Sequence, residues 1–332
     1  GEVDEAERKV PSNFAVGELP TPTRLKYKFL GWFTESEGGT KISAALFTRN
    51  GDLLAKEYRL LDGAVGTEVG VAIAETIFAL RTRRPDLPVE AVGICVPGIV
   101  YSKKGTVWAP NIPGWDNYPL MNDLKVILSD RSIRISIESD RTCYILGEVW
   151  KGAAQGCTDA IYLAVGTGIG AGILLDGRII HGANDIVGAT GWMALEAPYK
   201  EEFIPQGCFE YYASGSGIGN QAKRLYGDES KTSYDVFADY GKNPVATQIL
   251  DKAIRMWGMG TANLVSLFNP QKVIFGGGVF GPAVQYIDRI YAEARKWGQP
   301  ISMRDVVFCP SQVGGDAALL GAAYLGILET QR

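Results

Sequence analysis

The sequence lacks three features, each of which would point to a large class of proteins. No run approaches the roughly 18 uninterrupted apolar residues that a membrane helix requires, so no membrane partner is expected. No long Lys/Arg block occurs and the net charge is -4, which argues against a nucleic-acid partner. The five cysteines are scattered without close pairs, which argues against zinc ribbons and redox sites and favours a reducing cytoplasm. Small molecules are therefore the expected partners.

The length of the chain favours two domains. With 332 residues it can bury a large core and form a cleft between two halves. Residues 1–25 are charged and contain proline but have no apolar stretch of the kind a signal peptide carries, so they are predicted to be a surface arm. The predicted division is an arm at 1–25, a first lobe at 26–140 and a second lobe at 141–332. The closing helix of the second lobe could pack back on the first.

Two segments share one plan, a strand, a glycine-rich turn, a strand, a tight turn with Gly and a third strand. The first is "KYKFLGWFTESEGGTKISAALFTRNGDLLAKEYRL" and the second is "DAIYLAVGTGIGAGILLDGRIIHG". Alternating helices and strands follow each segment, which predicts two α/β lobes with a cleft between them. The pattern predicts a strand over "VEAVGICVPGIV" and helices over about 65–83, 213–226, 245–268, 282–296 and the closing stretch "DAALLGAAYLGILET".

The glycine turns are candidate phosphate sites. "GTGIGA" at 166–171 satisfies a dinucleotide pattern, but a hairpin follows it where that fold requires a helix, so a nicotinamide site is rejected. Consecutive backbone N–H groups without a Cβ can still converge on an anion. Two such turns would face each other across the cleft and hold one nucleotide; they are Gly38, Gly39 and Thr40, and Gly166, Thr167 and Gly168. The alternative is that the glycines only satisfy the positive φ of a turn.

Seven motifs in order resemble the ROK (repressor, open reading frame, kinase) family, within the actin-like ATPase superfamily. They are "EGGTK", "GICVPGIV", "APNIPGW", "IESDRTCYILGE", "VGTGIGAGILLDG", "GCFEYYASGSGI" and "FGGGVFG", and the resemblance covers about residues 27–330. It implies an α/β fold of two actin-like (ribonuclease H-like) ATPase lobes. It also implies a glucokinase-like homodimer that uses ATP and Mg²⁺ to phosphorylate a hexose or hexosamine hydroxyl. The alternative is a ROK-like sugar- or nucleotide-binding protein with little or no catalysis; a repressor is disfavoured because no DNA-binding domain precedes the lobes.

The resemblance also implies site residues. Asp140 would be the general base that takes a proton from the sugar hydroxyl, and a carboxylate at the end of a strand can do so; Asp140 could also cap the helix that follows. Trp115 would either wall the pocket or belong to the core, and Glu210 would either bind sugar or be a charge on the first turn of a helix. The predicted sugar-binding residues are Asn111, Ser139, Glu210 and Trp192. The predicted nucleotide- and phosphate-binding residues are Gly38, Gly39, Thr40, Lys41, Gly166, Thr167, Gly168, Gly276, Gly277 and Gly278.

The sequence departs from the family pattern at four places, one of which is Ser139 in place of an Asn beside the catalytic Asp. Ser36 stands where the family has an Asp that faces the phosphates and metal. Ala189 and Trp192 in "GATGW" replace a sugar-binding Glu and His, so a normal aldohexose should bind poorly. The segment "EEFIPQGC" keeps one of the family's zinc-binding cysteines, so no zinc is predicted. The single histidine, His181, is interpreted as structural.

Overall fold

The computed structural model describes residues 28–34, 41–130 and 132–331. The predicted arm at 1–25 and the first glycine turn, with Ser36, Gly38, Gly39 and Thr40, lie outside these described residues. Within them the chain folds into two α/β lobes, each built around a five-stranded sheet.

The first lobe consists of strands, two helices and a small hairpin. Its elements are β1 (Lys28–Thr34), β2 (Lys41–Thr48), β3 (Leu53–Leu60), α1 (Thr67–Arg83), β4 (Val89–Val96), β5 (Ile99–Tyr101), β6 (Thr106–Trp108), α2 (Leu120–Leu128) and β7 (Arg134–Ser139).

The remaining elements come after β7 in the chain and include the second sheet. They are α3 (Asp140–Lys151), β8 (Ala160–Val165), β9 (Ile169–Leu175), β10 (Arg178–Ile179), α4 (Cys208–Ala213), α5 (Gly215–Tyr226), α6 (Ser233–Asp239), α7 (Pro244–Phe268), β11 (Lys272–Gly276), α8 (Ile287–Trp297), α9 (Pro300–Asp305), β12 (Val307–Pro310) and α10 (Ala317–Gln331). Short 3-10 turns lie at Thr190–Trp192, Glu201–Phe203, Gly278–Phe280, Pro282–Tyr286 and Gly314–Asp316.

The two sheets have the same topology, which confirms the predicted duplication. The first sheet has the order β3-β2-β1-β4-β7 and the second β10-β9-β8-β11-β12. In each, an antiparallel three-stranded meander is followed by two parallel strands. Parallel strands bring their carboxyl ends to one edge of a sheet, and the pairing of Val96 with Ser139 fixes where β4 and β7 end. Residue 140 therefore enters the second lobe from the edge that faces the cleft.

Helices α3 and α10 lie between the two sheets. Helix α10 packs against α3 and against β1, β4 and β7, so it belongs to the core of the first lobe although it comes last in the chain, and α3 also contacts β8 and β9. The two helices approach closely because small residues face each other: a Cβ at Gly321 would lie 1.8 Å from the Cys143 carbonyl oxygen. Any side chain at that position would force the helices apart.

Two further observations bear on the chain as a whole. All five cysteines are free thiols. No helix in the described part of the chain is both long and apolar enough to cross a membrane.

Candidate functional site

Two cavities share part of their lining; one is lined from both lobes, and the other, among the described residues, from the second lobe alone. The first has a volume of about 480 Å³ and contains Asp140; we call it the Asp140 cavity. The second has a volume of about 440 Å³ and is lined by the first turns of α5 and by Lys223; we call it the Lys223 cavity. Gly166, Thr167 and Gly278 line both. One ligand can therefore extend from one cavity into the other across these residues.

Asp140 is the first residue of α3, directly after strand β7. Its Oδ1 accepts a hydrogen bond of 2.8 Å from the backbone N–H of Arg141. Burial raises the pKa of the Asp140 carboxyl above its ordinary value, and the charge and N–H of Arg141 oppose part of that rise. A carboxylate with a raised pKa is a stronger proton acceptor, which is what a general base requires.

The N-cap of α3 is Ser139, not Asp140 as the alternative interpretation had it. The Ser139 Oγ accepts from the backbone N–H of Thr142 at 3.4 Å and lies 3.2 Å from the Thr142 hydroxyl oxygen. Ser139 is buried and is not among the described residues that line the Asp140 cavity. The Ser139 hydroxyl is thus used inside the helix terminus, and sugar binding by Ser139 stays a prediction.

The second glycine turn joins β8 to β9 and has the two cavities on either side. Its backbone also holds α5, since the carbonyl oxygen of Gly166 accepts from the N–H of Gly215 at 2.7 Å. A Cβ added at Gly166 would meet no atom of the described residues within 4 Å, whereas a Cβ at Gly168 would lie 2.8 Å from Glu210 Oε2. A side chain at position 168 would thus crowd the Glu210 carboxylate, whereas Gly166 leaves room for a ligand.

The three glycines after β11 have different surroundings. Gly277 has φ 87° and lines the Asp140 cavity, and Gly278 lines both cavities with open space where a Cβ would point. Gly276 lines neither, and a Cβ there would lie 1.8 Å from the Tyr162 hydroxyl oxygen. Close packing against Tyr162 accounts for this glycine, and the phosphate contact at Gly276 stays a prediction.

The other predicted residues fall into two groups. Asn111, Glu210 and Trp192 line the Asp140 cavity, and the Trp192 side chain is 58% exposed. Trp115 is 2% exposed and donates from its indole nitrogen to the Gly66 carbonyl, so it belongs to the core. Lys41 begins β2 and is not among the described residues lining either cavity.

Glu210 is held by the second glycine turn. Its Oε2 accepts from the backbone N–H of Ile169 at 2.7 Å. Burial raises the pKa of the Glu210 carboxyl, and the Ile169 hydrogen bond opposes that rise. One carboxylate oxygen is thus used to position the loop, and the other remains for a ligand.

Sequence reasoning missed several residues of both cavities. Arg141 lies one residue after Asp140 on α3, and Tyr144 lies about one helical turn after it. Lys223 lies on α5, further along the helix than the residues at its start that line the same cavity. The signal for Arg141 was its position beside Asp140. Trp108 and Ile186 also line the Asp140 cavity, and only the fold brings them there.

His181 joins the two lobes at the side of the cleft. Its Nε2 lies 2.8 Å from Glu138 Oε1 on β7, and this carboxylate raises the pKa of the imidazole. Nearby, both the hydroxyl and the backbone N–H of Ser102 donate to Asp185. The lobes are therefore tied by polar contacts that do not involve the cavities.

The ion pair of His181 predicts a pH-dependent contribution to stability. Because the folded-state pKa is raised, this contribution is complete below the unfolded pKa of about 6.5 and is lost as pH rises through the folded value. His181→Gln should lower the melting temperature more at pH 5.5 than at pH 8.5, by a modest amount since the ring is 40% exposed. Thermal unfolding of Glu138→Gln, which removes the charge of the partner, should show the same pH dependence; equal losses at both pH values would contradict it.

Comparison with known proteins places these features in a family. The ROK family model matches residues 36–328. A second model, the Listeria-Bacteroides repeat domain, matches residues 1–56, so the two overlap at 36–56 and residues 1–35 lie outside the ROK match. The substitution at Ser36 thus lies at the very edge of the ROK match.

Similar proteins are known in sequence and in structure. A glucokinase from Halalkalibacterium halodurans is 28% identical over 310 residues, 87% of this chain and 92% of that protein. The ROK hexokinase from Thermus thermophilus is 29% identical with a TM-score of 0.80, covering 92% of this chain and 99% of that one. A ROK glucokinase from Streptomyces griseus, solved with glucose and AMPPNP, is 28% identical with a TM-score of 0.67, covering 90% and 99%.

Proposed function

Because this chain belongs to the ROK family, we propose that it is an ATP-dependent sugar kinase that phosphorylates a hydroxyl of a hexose or hexosamine-type sugar. The observation that carries the proposal is that a half-buried carboxylate, Asp140, and the glycine turn at 166–168 line one cavity. A proton acceptor and a phosphate-binding turn in one cavity are the two parts that phosphoryl transfer to an alcohol needs.

Asp140 is the proposed general base. As the sugar oxygen forms a bond to the γ-phosphorus and the bond from that phosphorus to the bridging oxygen of ADP breaks, the hydroxyl proton passes to the carboxylate of Asp140. The hydrogen bond from the Arg141 N–H occupies Oδ1, so Oδ2 is the atom proposed to accept the proton. The products are a sugar phosphate and ADP.

The nucleotide is proposed to lie in the Lys223 cavity with its phosphates over the shared residues. Open space at the Cβ positions of Gly166 and Gly278 supports this, because backbone N–H groups without side chains can approach phosphate oxygens. Lys223 and Lys231 line the same cavity and supply positive charge. The first glycine turn and Lys41 remain proposed phosphate contacts.

The residues present fit one Mg²⁺ ion bound largely through the nucleotide. Among the described residues no group of three or more His, Cys, Asp or Glu side chains is gathered as metal ligands. Magnesium is commonly held by one or two carboxylates plus substrate phosphates and water, so Asp140 is sufficient as the protein's contribution. When bound, the ion would neutralise charge on the phosphates.

The sugar is proposed to lie in the Asp140 cavity between polar and aromatic side chains. Asn111 and the free oxygen of Glu210 can bond hydroxyl groups, and the exposed indole of Trp192 can stack on an apolar sugar face. The homodimer implied by the family resemblance belongs to the same proposal, and the molecular mass in solution tests it.

One specific observation favours a second candidate, a ROK-like binding protein with little or no catalysis. Ala189 and Trp192 line the Asp140 cavity at positions where the family has hydrogen-bonding side chains, so contacts that would orient the substrate are missing. Loss of orientation costs rate more than it costs binding.

The decisive experiment measures products across a panel of sugars. Incubation with ATP and magnesium over hexoses, amino sugars and acetamido sugars should give a phosphorylated sugar detected by its mass. Saturable sugar binding without product on any member of the panel would favour the binding protein.

Gly278→Val tests the proposed position of the nucleotide. The added side chain would enter the space shared by the two cavities, so the KM for ATP should rise by at least about tenfold. Gly315→Val is the matched control, because it also has open space at its Cβ but lies in neither cavity. An unchanged KM for ATP in Gly278→Val would contradict this position.

A further inference from the structure

The side chain of Arg141 is a cation in the wall of the Asp140 cavity. It is the second residue of α3 and is half-buried. Its aliphatic stem lies over Gly170 on β9: a Cβ at that glycine would be 2.7 Å from Arg141 Cδ and 3.6 Å from the Gly188 carbonyl oxygen. The stem therefore runs beside the chain just before Ala189, in the half of the cleft proposed for the sugar.

The guanidinium is not used by the protein itself within residues 41–130 and 132–331. No hydrogen bond or ion pair of these residues involves its nitrogen atoms, although its charge acts on Asp140 through space. The contact between Arg141 and Asp140 is made by the backbone N–H of Arg141. Glu210, the other carboxylate in the cavity, directs one oxygen to Ile169 and makes no ion pair with Arg141.

A half-buried guanidinium without a bonding partner in the described part of the protein is suited to bind an anionic group of a ligand. Arginine remains charged at all physiological pH values, and its five N–H donors form a planar fork that fits carboxylate or phosphate oxygens. Ala189 lines the same cavity and has no carboxylate that could pair with the guanidinium of Arg141. The cavity therefore holds one guanidinium beside the carboxylates of Asp140 and Glu210, and the N–H donors of this guanidinium, unbonded among the described residues, are free for a ligand.

We propose that the sugar bound in the Asp140 cavity carries an anionic group, a carboxylate or a phosphate, which the guanidinium of Arg141 binds. This inference rests on the proposed function and specifies its substrate class. Arg141 then acts as a specificity residue, which selects an acidic sugar over the neutral sugar of the same ring.

The nucleotide is the competing source of an anion, and the lining of the cavities argues against it. The Lys223 cavity has its own cations in Lys223 and Lys231. Arg141 lines the Asp140 cavity but not the Lys223 cavity. Its stem contacts Gly170, which lies beyond the glycine turn at 166–168.

The test compares the binding of neutral and anionic probes in the absence of nucleotide. Isothermal titration calorimetry with D-glucose, D-gluconate, D-glucuronate and glucose 1-phosphate should show that at least one anionic probe binds about tenfold or more tightly than glucose. In Arg141→Gln this ratio should fall to about one, and Arg141→Lys should keep part of it because the charge remains. Arg178→Gln is the matched control, since Arg178 on β10 lines neither cavity and should leave the ratio unchanged.

Three results would overturn the inference. The first is that glucose binds as tightly as every anionic probe. The second is that the preference for anionic probes survives in Arg141→Gln. The third is that Arg141→Gln weakens binding of AMPPNP while the ratio of anionic to neutral sugar binding stays intact. The test is separable from the proposed kinase activity. Arg141-dependent binding of an acidic sugar that is never phosphorylated would uphold the inference and refute the kinase; phosphorylation of glucose with no preference for acidic probes would do the reverse.

Discussion

Asp140→Asn is expected to lower kcat for sugar phosphorylation by about 10²- to 10⁴-fold, the range that general-base catalysis usually contributes. The amide keeps the size of the side chain and can still occupy its place at the start of α3, but it cannot take a proton. Steady-state kinetics on the best sugar of the panel provides the measurement. Asp288→Asn, an exposed residue on α8, is the matched control. Retention of more than about a tenth of wild-type kcat would remove Asp140 from the role of base.

The raised pKa of Asp140 adds a pH profile to the same prediction. Only the ionised carboxylate can accept a proton, so activity should fall as pH drops through this pKa. Burial raises the value, which moves the acidic limb of kcat/KM above the ordinary aspartate value of about 3.9. The residual activity of Asp140→Asn should lack that limb.

Glu148→Ala is expected to lower the free energy of unfolding by about 3–5 kcal/mol, because it leaves one buried and three partly buried donors without their acceptor and opens a cavity. Glu148 on α3 is fully buried, and its carboxylate accepts from the Ser311 hydroxyl and from the backbone N–H groups of Ala153, Gln312 and Val313. It thus ties the end of α3 to the loop that leads into α10.

Urea unfolding followed by tryptophan fluorescence measures this loss. Glu148→Gln keeps one acceptor oxygen and the shape of the side chain, so its loss should be clearly smaller. Glu229→Ala, at an exposed position, should change stability by less than about 0.5 kcal/mol. A loss below about 1 kcal/mol for Glu148→Ala would show that the surrounding donors find other partners.

The architecture was predictable because glycine turns and hydrophobic alternation repeat in the two halves of the sequence. The hairpin turn at Asp176 and Gly177 forms as predicted, with positive φ at both residues. The predicted strand over 89–100 instead ends at Val96. Pro97 has no N–H to continue the ladder, and Gly98 lies against the Trp108 carbonyl, where a Cβ would be 2.1 Å from the oxygen.

Helix boundaries were less predictable where a side chain begins a new helix. The helix predicted over 213–226 forms as α5 but begins at Gly215, because Ser214 is extended and its hydroxyl accepts from the N–H of Gly217 to cap the helix. Helices α6 and α9 were missed, since they have 7 and 6 residues and too few turns to show a period.

The candidate site was predictable where the chain itself places a residue at the end of a strand. Asp140 follows β7 at the edge facing the cleft, so its position at the end of a strand agrees with the role that the family resemblance implies. Arg141 depends on a contact with Gly170, which only the packing of α3 on β9 creates. Ser139 and Gly276 belong to matching motifs, and the fold adds a structural task for each that the sequence did not indicate: the cap of α3 and the contact with Tyr162.

Helix α10 has a consequence for biosynthesis. Its residues complete the interior of a lobe whose sheet is encoded almost entirely by the first 139 positions. While the ribosome translates the intervening stretch, that sheet has an apolar face exposed, and it is covered only when residues 317–331 emerge. The early half of the nascent chain therefore keeps an apolar face open to non-native contacts until residues 317–331 have been synthesised.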